Sequence, residues 1–167
     1  YHFSGYWKDV GTISSLWEAN MEVLDPDNSG INLFDEDWKI YSRKAALPGQ
    51  KIAAGAVVEN SMVTDGCQIK GTVRHSILFE GVKVEKGAII EDAVIMGNTV
   101  VKAGAVVRHC IVAECVTIGE NAVVGAMPSG DENGVATIGA GITIGDNAKI
   151  GPNAMINKNV EGGEEQC

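Results

Sequence analysis

The stretches IAAGAVVENSMVTDGCQ (52–68), VEKGAIIEDAVIMGNTV (84–100) and VKAGAVVRHCIVAECVT (101–117) are copies of one another, and IGENAVVG opens a further copy at 118. The period is 17 residues at 84, 101 and 118, and the copy at 69–83, IKGTVRHSILFEGVK, is two residues short. Within each copy, aliphatic residues recur at steps of six, six and five. Ile52, Val58, Val63 and Ile69 show the spacing, as do Val84, Ile90, Met96, Val101, Val107, Ile118 and Val124. The last stretch steps cleanly by six through Ile138, Ile144, Ile150 and Ile156. A 3.6-residue helical period does not produce this spacing, whereas short strands joined by corners do.

Two further columns support the same reading. Two residues before many of these aliphatics stands a smaller inward residue: Ala56, Cys67, Val82, Ala88, Ala105, Val116, Ala122, Ala148 or Ala154. Three residues after many of them stands Gly or Asn, at 55, 66, 81, 87, 104, 121, 141, 147, 153 and 159. These are the residue types that tolerate the positive φ a repeated corner requires. The repeat therefore predicts a hexapeptide parallel β-helix of triangular cross-section, mainly β, with about six coils over residues 52–161 and a tail at 162–167. A left-handed winding follows from its resemblance to hexapeptide-repeat proteins and departs from the usual crossover rule. Ser61, Ser76, Ala93 and Cys110 form a small-residue column. Cys67 and Cys110 are read as packed core residues, and Cys115 as a turn residue in the column of Gly66, Gly81 and Asn98. The polar segment AMPSGDENGVAT, 126–137, breaks the hexads and is expected to leave a corner as a loop.

The composition fits a chain of two unequal parts. Eight of the nine aromatic residues lie within the first 41, leaving Phe79 as the exception. The 21 glycines, about 13% against an average of about 7%, come with only 4 prolines, which excludes a collagen-like or Pro/Gly-rich disordered chain. The net charge of −9 with no basic stripe excludes nucleic-acid binding by phosphate neutralisation. No apolar run approaches the 18 residues of a membrane span. The four cysteines form no C-x-x-C pair and read as free thiols in a cytoplasmic protein. The three histidines do not cluster with them, so no zinc site is expected.

Ahead of the repeat, residues 14–24 read as one helix, capped by Thr12 or Ser14 and ended by Asp25-Pro26, with Leu16, Ala19, Asn20, Val23 and Leu24 on its buried face. His2–Val10 reads as an extended strand and 25–51 as a linker. The run FSGYWKDVGTI, 3–13, is chemically dense, and Asp9 within it is by itself an ordinary turn or cap residue.

GYWKDVGTISSLWEANMEVL (5–24), NLFDEDWKIYSR (32–43) and VVENSMVTDGCQIKGTVRHSILFEGVKV (57–84) together resemble the ADP-glucose pyrophosphorylases (glucose-1-phosphate adenylyltransferases) of bacterial type, in their C-terminal part. The resemblance covers nearly the whole chain and weakens past about residue 125. It implies an enzyme of glycogen synthesis that joins ATP and glucose 1-phosphate to give ADP-glucose and pyrophosphate. On that reading 1–24 is the remnant of a nucleotidyltransferase domain, and the nucleotide-binding loop lies outside the chain, which is expected to be inactive alone.

The resemblance also implies that Asp9 is one of two aspartates holding a catalytic Mg²⁺, which would neutralise charge between two anionic substrates. It implies that the β-helix mediates contacts in a homotetramer and helps bind allosteric sugar-phosphate or nucleotide effectors. Lys102, Arg108 and His109, close along one copy, are the candidate effector-binding residues. One rival is a hexapeptide acyltransferase with His75 or His109 as base, both expected to point outward. Another is a non-catalytic regulatory paralogue of the pyrophosphorylase.

Overall fold

The computed structural model describes residues 1–41, 46–129 and 134–167. The centre of the expected 126–137 loop and the end of the 32–43 motif lie outside the described residues. From Lys51 the chain winds as a parallel β-helix whose faces carry strands of two or three residues, except where Ile89–Ile95 and Val106–Val112 run through a corner. On the first face, the inward rungs are Ile52, Ile69, Val84, Val101, Ile118, Ile144 and Val160. On the second face they are Val58, Val73, Ile90, Val107, Val124, Ile150 and Gln166. The third face has Val63, Leu78, Ile95, Val112, Ile138 and Ile156. Six complete coils thus carry two sides of a seventh. Residues 162–167 are not a free tail, because Glu165–Gln166 adds the final rung beside Lys149–Ile150.

The columns stack like on like, and most of their members are fully buried. Each Val or Ile removed from water in this way contributes about 1.5–3 kcal/mol. One register differs from expectation. Ile95, not Met96, points inward, and Met96 packs outside. The corner between the second and third faces takes five residues rather than six in the first four coils, Val58 to Val63 through Val107 to Val112, and six again from Ile150 to Ile156. In those four coils a single residue at positive φ turns it: Asn60, His75, Asp92 or His109. Nine of the ten Gly and Asn positions expected at corners have positive φ. Asn159 does not, and its side-chain oxygen instead accepts the Thr143 N–H. The short copy loses its two residues at the corner after Ile69. A Cβ on Gly71 there would stand 2.4 Å from the Ala88 carbonyl oxygen and 2.8 Å from that of Glu85.

Helix α1 spans Ile13–Glu22, with Thr12 as N-cap in a reciprocal capping box with Ser15. A four-residue helix, α2, Pro26–Ser29, follows it and ends on Gly30 at φ 76°. The expected strand at 2–10 does not form: among the described residues nothing pairs with it. The packed face of α1 keeps the expected Leu16, Val23 and Leu24 but turns toward Ile13, Trp17 and Met21 in place of Ala19 and Asn20. Met21 is its most buried residue and packs with Ile13, Leu16, Trp17, Val23 and Leu24. The reason lies in the surface beneath, where Met62, Ile77, Val94 and Ile111 make an apolar column on the outside of the third face. That face is apolar on both sides, and α1 covers it. The expected loop is also shorter than 126–137, since Ala136–Ile138 is already a strand and Val135 packs beneath α1.

Candidate functional site

A polar assembly joins α1 to the corner between the second and third faces. The Trp17 indole N–H donates to the Asp92 carbonyl at 2.7 Å. Its ring meets the His109 ring edge-on, with centroids 4.4 Å apart. Below, His75 Nδ1 lies 2.5 Å from Asp92 Oδ1. His75, Asp92 and His109 occupy successive rungs because each is the positive-φ residue of its corner. His75 is half-exposed, whereas His109 faces out of the coil as expected but is buried there beneath Trp17.

The GYWKD segment is tied to the same helix. The Tyr6 hydroxyl donates to Glu22 at 2.7 Å, and Lys8 reaches Glu22 at 2.8 Å and Glu18 at 2.9 Å. The Lys8 hydrogen bond, then that of Tyr6, holds the Glu22 carboxyl below the usual range, and the same Glu22 contact pushes the Tyr6 phenol up. Trp7 is exposed. Asp9 is exposed too, its Oδ1 accepting the Gly11 N–H at 3.1 Å. Among the described residues no group of three or more His, Cys, Asp or Glu side chains is gathered to hold a metal ion. Asp9, turned onto its own backbone, offers a single carboxylate, which is one ligand and not by itself a Mg²⁺ site.

The three candidate effector residues do not converge. Lys102 sits at the corner between the first and second faces, 3.8 Å from Asp146. Arg108 lies on the outside of the second face, its Nε 2.8 Å from Glu91. His109 is beneath Trp17. Not apparent from the sequence was a pair of lysines on the outside of the first face, Lys51 and Lys83, in register on either side of Gln68. A spacing of 15 to 17 residues was its only signal. Also not apparent was a groove of about 940 Å³ at the first coil, where Leu33, Phe34, Tyr41, Ile52, Met62 and Phe79 come together.

The cysteines behave as read. All four are free, Cys67 and Cys110 are buried, and Cys115 is an exposed corner residue at φ 59°. Burial pushes both buried thiols up, away from reactivity. No helix among the described residues is long and apolar enough to cross a membrane.

A family model described as GlmU-like, C-terminal hexapeptide matches residues 47–145. The chain belongs to this hexapeptide family. Membership accords with the left-handed winding, and the coil register above is the family's repeat seen residue by residue. Glucose-1-phosphate adenylyltransferases of Bacillus thuringiensis (strain Al Hakam) and Bacillus anthracis are each 45% identical to the chain over 124 residues. That of Bacillus mycoides (strain KBAB4) is 44% identical over the same length. In each case the match covers 74% of this chain and 33% of the relative, so the chain spans about a third of their length, in their C-terminal part. Among solved structures, the acetyltransferase domain of PglB from Neisseria gonorrhoeae in complex with acetyl coenzyme A is similar at 16% identity. Its TM-score is 0.48, and the match covers 71% of this chain and 51% of that one.

Proposed function

We propose that these residues are the C-terminal, subunit-contacting and regulatory part of a cytoplasmic glucose-1-phosphate adenylyltransferase, which makes ADP-glucose and pyrophosphate from ATP and glucose 1-phosphate for glycogen synthesis. The observation that carries this reading is the 45% identity over 124 residues to adenylyltransferases. The junction supports it physically. Asp9 is tied through Lys8 and Tyr6 to α1, and α1 is seated on the β-helix, so a ligand on the β-helix has a packed route to the segment bearing Asp9.

Asp9 is the proposed contribution of these residues to Mg²⁺, one carboxylate of a larger set. Anionic effectors, sugar phosphates or nucleotides, are proposed to meet Lys102 and Arg108 and to bias contacts between the β-helix and the catalytic part of a homotetramer. The acyltransferase reading loses His109 as its base, since that ring is buried against Trp17.

The test is direct. The product of the whole gene is assayed for ADP-glucose from ATP, glucose 1-phosphate and Mg²⁺, alongside the 167-residue chain. Turnover by the former and none by the latter is expected. In the whole product, Asp9→Asn is expected to lower turnover without lowering the melting temperature. A whole product that folds but forms no ADP-glucose overturns the enzymatic reading in favour of a regulatory paralogue. Acetyl transfer from acetyl coenzyme A overturns it in favour of the acyltransferase. A charge reversal at Arg108 that leaves the activator response unchanged removes that residue from the effector proposal.

A further inference from the structure

The outside of the second face carries two columns in register. One is apolar: Val57, Thr72, Ile89, Val106 and Val123. The other is a charge ladder of alternating sign, Glu59, Arg74, Glu91 and Arg108. Its ion pairs run from rung to rung, with Arg74 Nε 2.7 Å from Glu59, Arg74 Nη1 3.2 Å from Glu91, and Arg108 Nε 2.8 Å from Glu91. The ladder stops there, because the next position in register is Gly125. Helix α1 lies on the third face and leaves these two columns uncovered. Val123 is 36% exposed.

An alternating ladder with an even number of charges has a symmetry property. Reversed end to end, minus-plus-minus-plus becomes plus-minus-plus-minus, its own complement. A two-fold axis parallel to the strands, at mid-height between the Arg74 and Glu91 rungs, performs that reversal while keeping each column over itself. It sets Glu59 opposite Arg108, Arg74 opposite Glu91, Val57 opposite Val106 and Thr72 opposite Ile89. The other in-plane axis, along the β-helix, would swap the two columns and set charge against the apolar row. We propose that the second face is a docking surface for a second copy of this chain, packed antiparallel in an isologous contact. The charges select the orientation, and the apolar column supplies the area lost from water.

Four rungs at ~4.8 Å and three-residue strands ~10 Å long make a patch on the order of 200 Å² per copy, below the ~800 Å² per partner of stable interfaces. The contact is therefore weak on its own and is best read by trapping. It goes beyond the subunit-contact reading above by naming the face, the partner and the orientation.

Two variants, Glu59→Cys and Arg108→Cys, are made in the full 167-residue chain with the exposed thiols removed by Cys115→Asn and Cys167→Ser, and circular dichroism confirms the fold of each. They are mixed at about 1 mM total chain, where a contact with a millimolar dissociation constant is substantially populated, and oxidised mildly. Disulfide-linked 59–108 heterodimers exceeding 59–59 and 108–108 homodimers by about tenfold are expected, a ratio worth about 1.4 kcal/mol. Adding Val106→Glu to both chains is expected to abolish the heterodimer. A statistical mixture, a dominant 59–59 product, no trapped dimer, or a yield indifferent to Val106→Glu each overturns the proposal. The trapping reads no ADP-glucose, so its failure and the failure of the enzymatic reading are separate results.

Discussion

Replacing Trp17 tests whether α1 is a separately opening lid on the third face or part of one cooperative unit with the coils. Trp17→Phe keeps most of the apolar ring and removes the N–H that reaches the Asp92 carbonyl. A hydrogen bond of this kind has a net worth of about 1 kcal/mol, so the opening equilibrium of α1 should rise about fivefold. Trp17→Ala removes the ring as well. A half-buried indole hides roughly 100 Å², worth ~2.5 kcal/mol at about 25 cal/mol/Å². With the hydrogen bond the loss is ~3.5 kcal/mol, or two to three orders of magnitude in opening. Amide hydrogen exchange measured on peptides reads this directly, because local opening exposes the helix while the coils stay closed. Peptides covering Ile13–Glu22 should exchange faster in the order Ala, Phe, wild type, and those covering Ile89–Ile95 should not change. Acceleration of both regions by the same factor would refute the separate lid. So would helix exchange within twofold of wild type in Trp17→Ala, which would mean the indole does not hold α1 down.

Three other outcomes follow from particular positions. Gly71→Ala places a methyl against two backbone carbonyls that have no rotamer with which to yield, so urea unfolding should report a loss of about 2 kcal/mol or more. Cys115→Asn puts a residue tolerant of left-handed backbone at φ 59° and should raise stability by about 0.5–1 kcal/mol; an unchanged urea midpoint would argue against strain at that corner. The Arg108 hydrogen bond, followed by that of Arg74, holds the Glu91 carboxyl below its usual range. A depressed folded pKa gives stability that is present above the unfolded value, about 4.3, and lost as pH falls through the lower folded value. Stability curves of wild type and Glu91→Gln should therefore differ at neutral pH by less than about 1 kcal/mol, given the partial exposure of these groups, and converge in acid.

How much of the molecule was legible in the sequence depended on which way a side chain points. Inward positions repeat with the coil, so Ile69, Val84, Val101 and Ile118 could be aligned by counting. The one slip, Met96 for Ile95, falls where the step is five rather than six and two adjacent apolar residues compete for one inward position. The sign of a covered outer face was nevertheless present. The third face reads Met62-Val63, Ile77-Leu78, Val94-Ile95 and Ile111-Val112, apolar on both sides of the strand, where the outer residues of the first face are Lys51, Gln68, Lys83, Thr117 and Thr143, with Val100 the exception. A strand apolar on both sides is buried on both sides. That pattern identifies the docking surface for α1, and with it the rotation of the helix toward Trp17 and Met21.

The candidate site was less legible. Lys102, Arg108 and His109 are close along the chain, but a triangular coil sends neighbours in sequence to different faces and brings together residues one coil apart. Arg108 consequently meets Glu91, Lys102 meets Asp146, and His109 meets Trp17.

The sequence by itself determined the β-helix, its corners and its free buried thiols, because every coil must satisfy the same inward packing and the same turn, and repetition makes those demands countable. Only the tertiary structure decided where α1 sits, which histidine is covered, and how the outer charges pair into an alternating ladder. Outward side chains are not constrained by the coil period. Their partners are chosen across rungs and by the segment folded over them.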